Sequence, residues 1–388
     1  MDFDLSWILL GLPVAFILGW AASRFDLRQL RMENRQAPKA YFKGLNFLLN
    51  EQQDQAIDAF IEAVQNDPDT SELHFALGNL FRRRGEYERA VRVHEHLLSR
   101  GDLSRADRER AQHALALDFL KAGLLDRAEE ALRKLEGTPF ETQASLALLA
   151  IFERSRDWPQ AARIAQKLED AGQGSFSARQ AHYLCEQAAA QTAEGNNAAA
   201  HRLLDQALTT APHAPRPRID LAALHLRLGE AGAAFESLQA LLEVAPLSLP
   251  LVAHALCEAA MACGRSAQAL SLLKTSYVQD PSLDVLDAIV TLTAAAGEPA
   301  QEVQGGRDWY LKHLEREPSL VAAAKWIAGE KLEHEQFHPQ VQRALDHAAR
   351  PLMRYRCAAC GFEATQHFWQ CPGCQAWDSY PARRVEEL

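Results

Sequence analysis

The sequence predicts an all-α chain: a solenoid of helical hairpins with an apolar helix at its N-terminus and a small cysteine-bearing segment at its C-terminus. Three observations predict it. Small residues recur with a period of about 34 through the middle of the chain, residues 5–22 carry no charge, and four of the seven cysteines lie within residues 357–388. Alternating β-branched patterns are nearly absent, which leaves little material for a sheet. The net charge of −10 argues against a general nucleic-acid binder, whose affinity would rest on basic surface.

The first element is the uncharged run from Leu5 to Ala22. As a helix it rises about 27 Å, close to the hydrocarbon thickness of a bilayer. Trp7 and Trp20 stand near its ends, where amphipathic rings favour the headgroup region. A cleaved signal peptide wants a basic start, whereas this chain begins with Asp2 and Asp4. Residues 1–23 are therefore expected to be a retained single-pass transmembrane anchor. Residues 24–39 continue as a basic juxtamembrane helix, with Arg24, Arg28, Arg31 and Arg35 on one stripe. Basic residues flanking a span stay cytoplasmic, so the N-terminus is expected in the periplasm and the bulk of the chain in the cytoplasm. The stripe suits contact with anionic headgroups at the membrane surface, and equally a solvated helix face.

The repeat occupies residues 40–281. Its first unit runs Tyr41, Gly44, Phe47, Ala56, Phe60, Ala63, Pro68, and resembles the tetratricopeptide repeat, a helix–turn–helix of about 34 residues. The alanine of Ala56 recurs at Ala90, Ala128, Ala161, Ala200, Ala234 and Ala269, so about seven units are expected. Twelve residues before each lies Gly44, Gly78, Ala116, Leu149, Ala188, Ala222 or Cys257, mostly small side chains that let paired helices approach. Gly85, Gly123, Gly195, Gly229 and Gly264 mark left-handed turns between the helices of a unit. The prolines at 68, 212, 246 and 281 close the second helices. Residues 282–350 read as degenerate capping repeats, with helical periodicity over 283–296, 308–316, 319–333 and 339–347.

Such a solenoid presents its first helices as a surface for a peptide or partner. Asn79, Arg82, Arg83, Lys121, Arg154 and Arg227 are candidates for a cationic groove that grips an acidic segment. The alternative is that cations simply favour the last turn of a helix. Cys185, Cys257 and Cys263 lie within the predicted helices and read as small core residues. No phosphate loop, nucleophile elbow or acid–base constellation stands out, and His94 and His96 fall on different helix faces. The expectation is a protein that is not an enzyme.

Residues 351–388 hold the strongest chemical signal. Cys357-Ala-Ala-Cys360 and Cys371-Pro-Gly-Cys374 each place two sulfurs on a tight turn, and two such turns facing one another make a tetrahedral S4 site for one metal. A segment this small cannot build its own core. A structural zinc would supply about 10–16 kcal/mol. Two disulfides are the rival arrangement and need an oxidising compartment. Tyr355, Phe362, Phe368, Trp369 and Trp377 are expected to cluster around the site. The segment resembles the rubredoxin family, shortened between its knuckles. That resemblance implies an iron site that carries electrons, whereas the same cage takes zinc for a structural role. Zinc is preferred to iron here. A nucleic-acid zinc ribbon gains little from the balanced charge of Arg354, Arg356, Arg383 and Arg384 against Glu363, Asp378, Glu386 and Glu387.

The order of anchor, repeats and cysteine knuckle resembles the lipopolysaccharide assembly protein B family of Gram-negative bacteria, over essentially the whole chain. The resemblance implies a non-enzymatic inner-membrane adaptor facing the cytoplasm. It further implies promotion of proteolysis of the deacetylase of the lipid A pathway by a membrane-bound AAA+ metalloprotease. The implied partners are that protease, that deacetylase, other lipopolysaccharide assembly or signalling proteins and the inner membrane, with no nucleic acid; a homodimer is left open. Cys357, Cys360, Cys371 and Cys374 match the family's cysteines position for position. The alternative reading is a membrane-tethered electron-transfer protein with a rubredoxin-type iron site.

Overall fold

The computed structural model of the chain describes residues 16–17, 19–20, 42–47, 49–66, 70–295, 300–329 and 335–388. The expected anchor over 1–23 and the stripe Arg24, Arg28, Arg31 and Arg35 lie outside these residues, apart from Phe16, Ile17, Gly19 and Trp20, which are helical. Among the described residues no helix is long and apolar enough to cross a membrane.

The chain forms two compact units, Met1–Ile151 and Phe152–Leu388. In the first, residues 42–47 are helical and precede α1 (Gln53–Asn66), α2 (Ser71–Arg83), α3 (Tyr87–Ser99), α4 (Arg105–Lys121) and α5 (Leu125–Arg133). Helix α6 (Glu141–Ser155) carries the boundary between the units. The second unit continues with α7 (Trp158–Asp170), α8 (Ser177–Ala193), α9 (Asn197–Thr210), α10 (Pro215–Arg227), α11 (Ala231–Val244), α12 (Leu249–Ala262) and α13 (Ser266–Gln279). It ends with α14 (Leu283–Ala295), α15 (Ala300–Arg316), α16 (Leu320–Ile327), α17 (His338–Ala349) and two short strands, β1 (Tyr355–Arg356) and β2 (Glu363–Ala364).

The repeat pattern has a direct physical basis. All seven tracked alanines, Ala56 to Ala269, have no exposed surface, because each sits where two helices of a hairpin touch. At Gly78 the approach is closest: a Cβ there would lie 2.5 Å from Nε2 of His94 on α3. The five turn glycines all adopt positive φ. In the hairpin of α6 and α7 the same place is taken by Arg156 at φ +58, which is why no glycine marks that turn.

Two elements differ from expectation. Helix α15 begins at Ala300 rather than 308; Gly305-Gly306 weakens its periodic signal without interrupting it. Helix α16 ends at Ile327 and starts at a cap in which Ser319 Oγ accepts the Ala322 N–H at 3.0 Å. Cys185 and Cys257 are buried core residues, whereas Cys263 lies just past the end of α12 and is half-buried.

Candidate metal centre

The C-terminal segment is built from two knuckles with matching hydrogen bonds. In the first, the Cys357 N–H donates to Phe362 O (2.9 Å) and the Gly361 N–H to Cys357 O (2.9 Å). In the second, the Cys371 N–H donates to Ala376 O (2.8 Å) and the Gln375 N–H to Cys371 O (2.9 Å). Gly361 and Gln375 both take positive φ, +78 and +63. The knuckle therefore demands a left-handed residue after its second cysteine, which glycine adopts freely and glutamine does not. Strands β1 and β2 pair antiparallel, Tyr355 with Ala364 and Arg356 with Glu363, and close the first knuckle. A bridge between Gln370 and Trp377 closes the second.

This backbone brings all four sulfurs within 4.8 Å of one another. Cys357 Sγ lies 3.8 Å from Cys374 Sγ, and Cys360 Sγ 3.7 Å from Cys371 Sγ. A tetrahedron with metal–sulfur bonds of about 2.3 Å has edges of about 3.8 Å, so the residues fit a four-thiolate metal ion. Disulfides would need sulfurs about 2.05 Å apart, and all four cysteines are free. The thiols stand in for the thiolates of a loaded site. Although burial opposes it, the Ser379 hydroxyl and the backbone N–H groups of Cys360 and Ala359 pull the Cys357 thiol below its ordinary value, and those of Cys374 and Gly373 pull the Cys371 thiol down, which favours thiolates. Cys357 and Cys371 are buried, while Cys360 and Cys374 face solvent.

Residues 355–380 match the family described as the rubredoxin metal binding domain, and residues 73–109 and 191–256 match tetratricopeptide repeats. Lipopolysaccharide assembly protein B of Escherichia coli (strain K12) is 31% identical over 397 aligned residues, covering 99% of this chain and 100% of that protein. Its namesake from Haemophilus influenzae is 26% identical, covering 96% of each chain. The chain belongs to the lipopolysaccharide assembly protein B family. In this member the fold is a tetratricopeptide-repeat solenoid ending in a zinc-ribbon-type, rubredoxin-like segment, called the ribbon below.

The ribbon's aromatic residues do not all gather around the sulfurs, as the sequence suggested. Tyr355 packs with Cys357, Cys371 and Tyr380 against Leu251 of α12. Phe362, however, is exposed, and the two tryptophans turn toward the helices. The Trp377 ring stacks on His182 (centroids 4.7 Å apart) and meets Trp158 and Tyr183 edge-on, while its Nε1 donates to Glu153 Oε1 at 3.0 Å. The cause is competition between surfaces: half-buried aromatics with polar tips gain more at an interface offering acceptors than in a small shell around metal. Asp378 accepts from His182 Nε2 at 2.9 and 3.0 Å. The other nitrogen, Nδ1, then faces Arg216 Nη1 at 3.4 Å. Beyond the ribbon, Arg384 makes a bidentate pair with Asp284 (2.8 Å each) and lies over the Tyr355 ring. Glu386 accepts the Leu320 N–H at 2.6 Å, and Glu387 the Leu283 N–H at 2.6 Å. The acidic tail thus supplies carboxylates to the N-termini of α16 and α14, where unpaired N–H groups and the helix dipole favour them.

The candidate groove residues separate into two sets. Arg82 is engaged within its unit: its guanidinium donates to Asp118 Oδ1 (2.8 Å), Ala114 O (3.1 Å) and Asn79 Oδ1 (2.5 Å). Asp118 is wholly buried and also meets His94 Nδ1 at 2.5 Å. Asn79 and Arg82 thus take part in a partly buried network that reaches the buried Asp118. Arg83, Lys121, Arg154 and Arg227 are exposed. Sequence reasoning missed the His94–Asp118 and His182–Asp378 pairs because their partners are far apart in the chain. One signal was available for the first: Phe60, Leu132, Leu204, Leu238 and Leu273 occupy the repeat position of His94, so a histidine there calls for a buried partner.

Proposed function

We propose that the chain is a non-enzymatic, membrane-anchored adaptor in the regulation of lipopolysaccharide synthesis. It promotes proteolysis of the lipid A pathway deacetylase by a membrane-bound AAA+ metalloprotease. The observation that carries this reading is the end-to-end similarity to lipopolysaccharide assembly protein B, joined to a fold of stacked helical hairpins suited to holding partners. In this reading residues 1–23 span the inner membrane, Arg24, Arg28, Arg31 and Arg35 meet the cytoplasmic headgroups, and the rest of the chain is cytoplasmic. Arg83, Lys121, Arg154 and Arg227 contribute cations for partner binding.

The mechanism is effective concentration. An adaptor and a protease in one membrane turn a bimolecular encounter with the deacetylase into a nearly intramolecular one. The ribbon holds a single metal, zinc in the structural role, whose binding energy folds a segment that has almost no core. Deleting residues 1–23 is expected to abolish deacetylase turnover in cells while the remainder folds; undiminished turnover would remove the tethering mechanism. The second reading, electron transfer from an iron site, draws on the solvent-facing Cys360 and Cys374. A red chromophore that bleaches reversibly on reduction would favour it, and a colourless protein with one zinc would exclude it.

A further inference from the structure

The four sulfurs of the metal centre sit in two environments. Cys360 and Cys374 face solvent, where water supplies hydrogen bonds to a thiolate. Cys357 and Cys371 are buried, and a buried charge takes its donors from the protein. For Cys357 one donor comes from outside both knuckles: the Ser379 hydroxyl stands 3.3 Å from Cys357 Sγ.

Ser379 is held at the sulfur by contacts that do not involve its own side chain. Its carbonyl accepts the Ala358 N–H at 2.7 Å, which ties its backbone to the first knuckle. On one side Trp377 Nε1 donates to Glu153 Oε1 and Asp378 accepts from His182 Nε2. On the other, the Tyr380 hydroxyl donates to Phe362 O at 3.1 Å. The hydroxyl is therefore preorganised, and alanine at position 379 would keep every one of these bonds.

The hydroxyl also suits both forms of the sulfur. With Cys357 a thiol, the S–H donates to Ser379 Oγ while the hydroxyl donates to Ala376 O at 3.2 Å. A thiolate ligand has no proton to give. The hydroxyl then turns from Ala376 O to the sulfur, because a charged acceptor holds a donor about twice as strongly as a neutral one. Serine makes this exchange since its hydroxyl both accepts and donates. Ala376 O is not orphaned by the turn, for it keeps the Cys371 N–H at 2.8 Å.

We propose that Ser379 is a positioning residue of the metal centre: its hydroxyl donates to the Cys357 thiolate, and that bond sets how tightly the ribbon keeps its metal. Hydrogen-bond partners beside metal ligands are worth about 10–100-fold in affinity. The proposal rests on the reading of the knuckles as a one-metal site, and its test separates the two.

The test compares the full chain with S379A and S379T. Zinc affinity is measured by competition with a chromophoric chelator, and circular dichroism checks that the helices of each variant persist. S379A is expected to bind zinc at least about tenfold more weakly than the unsubstituted chain, and S379T, which keeps the hydroxyl, to restore the affinity. The second readout is the sulfur-to-metal charge-transfer band of the cobalt(II)-loaded proteins. A lost hydrogen bond raises the energy of the sulfur electrons, so the band is expected to move to longer wavelength in S379A and to return in S379T. A merely structural defect would weaken zinc without moving the band. Unchanged zinc affinity in S379A, an unmoved band, or failure of S379T to restore both overturns the role of the hydroxyl. An unsubstituted chain that takes up no stoichiometric zinc or cobalt overturns the metal reading itself, and the proposal with it.

Discussion

Trp377 donates its indole N–H to the buried carboxylate of Glu153 at 3.0 Å, and this bond joins the metal-binding end of the chain to the helix that opens the second unit. The carboxylate also keeps the Tyr183 hydroxyl and lies 3.7 Å from Arg179, so it is not orphaned when the indole is removed. Trp377→Phe is therefore expected to cost only about 1 kcal/mol, the worth of one hydrogen bond. Trp377→Ala, which also empties the ring slot, is expected to cost about 2–3 kcal/mol. Denaturant unfolding of the metal-loaded chain measures both, and equal losses would show that the ring contributes nothing.

Gly78 and His94 make a steric prediction in the first unit. Gly78→Ala drives a Cβ to 2.5 Å from His94 Nε2, in a core that cannot yield, for a cost of about 1–3 kcal/mol. Asp118→Ala strips the acceptor from both His94 and Arg82 and is expected to cost more, about 3–5 kcal/mol. Thermal unfolding of the two variants tests the order.

Glu386 caps α16 from outside the helix, accepting from Ser319 Oγ and from the N–H groups of Leu320 and Val321. Glu386→Ala is expected to cost about 1–2 kcal/mol and to raise hydrogen exchange selectively over Leu320–Ile327. Uniform protection in that variant would mean that Ser319 alone suffices.

Stability should fall as pH is lowered through the histidine range. Burial pulls His313, His367 and His113 below the ordinary histidine value. A depressed histidine stays neutral in the native state while the unfolded chain takes up a proton, so its contribution is fully present above the unfolded pKa of about 6.5. It is lost as pH falls from there, by up to about 1.4 kcal/mol per pH unit for each linked proton. His313 Nδ1 shares a hydrogen bond with the Tyr277 hydroxyl, 2.7 Å away. His313→Gln is expected to flatten the decline of Tm between neutral pH and about pH 5; an unchanged slope would remove His313 from the linkage.

The knuckles should bind one metal per chain. Cys371→Ser with Cys374→Ser removes half the donor set and is expected to abolish stoichiometric metal. Ribbon protection should go with it, because the site's binding energy of about 10–16 kcal/mol is also its folding energy. Metal analysis and hydrogen exchange over residues 355–380 check both; retained protection without metal would make the ribbon self-folding.

The sequence by itself determined the helical hairpins, because the rule is local and repeats: an alanine where two helices touch, a small residue twelve positions before it, a left-handed turn between. It also determined the S4 knuckles, since CxxC spacing places sulfurs by turn geometry alone. The hairpin that breaks the glycine rule, at Arg156, was still legible through Ala161. What the sequence left open was the use of polar and aromatic side chains with distant partners. From sequence, Trp369 and Trp377 belong to a shell around the metal, and Glu386 and Glu387 enter only the charge balance. Only tertiary structure decided these. The partner that satisfies a buried carboxylate, an indole N–H or a bare helix N-terminus is chosen by packing, and packing here joins residues from 66 to 224 positions apart.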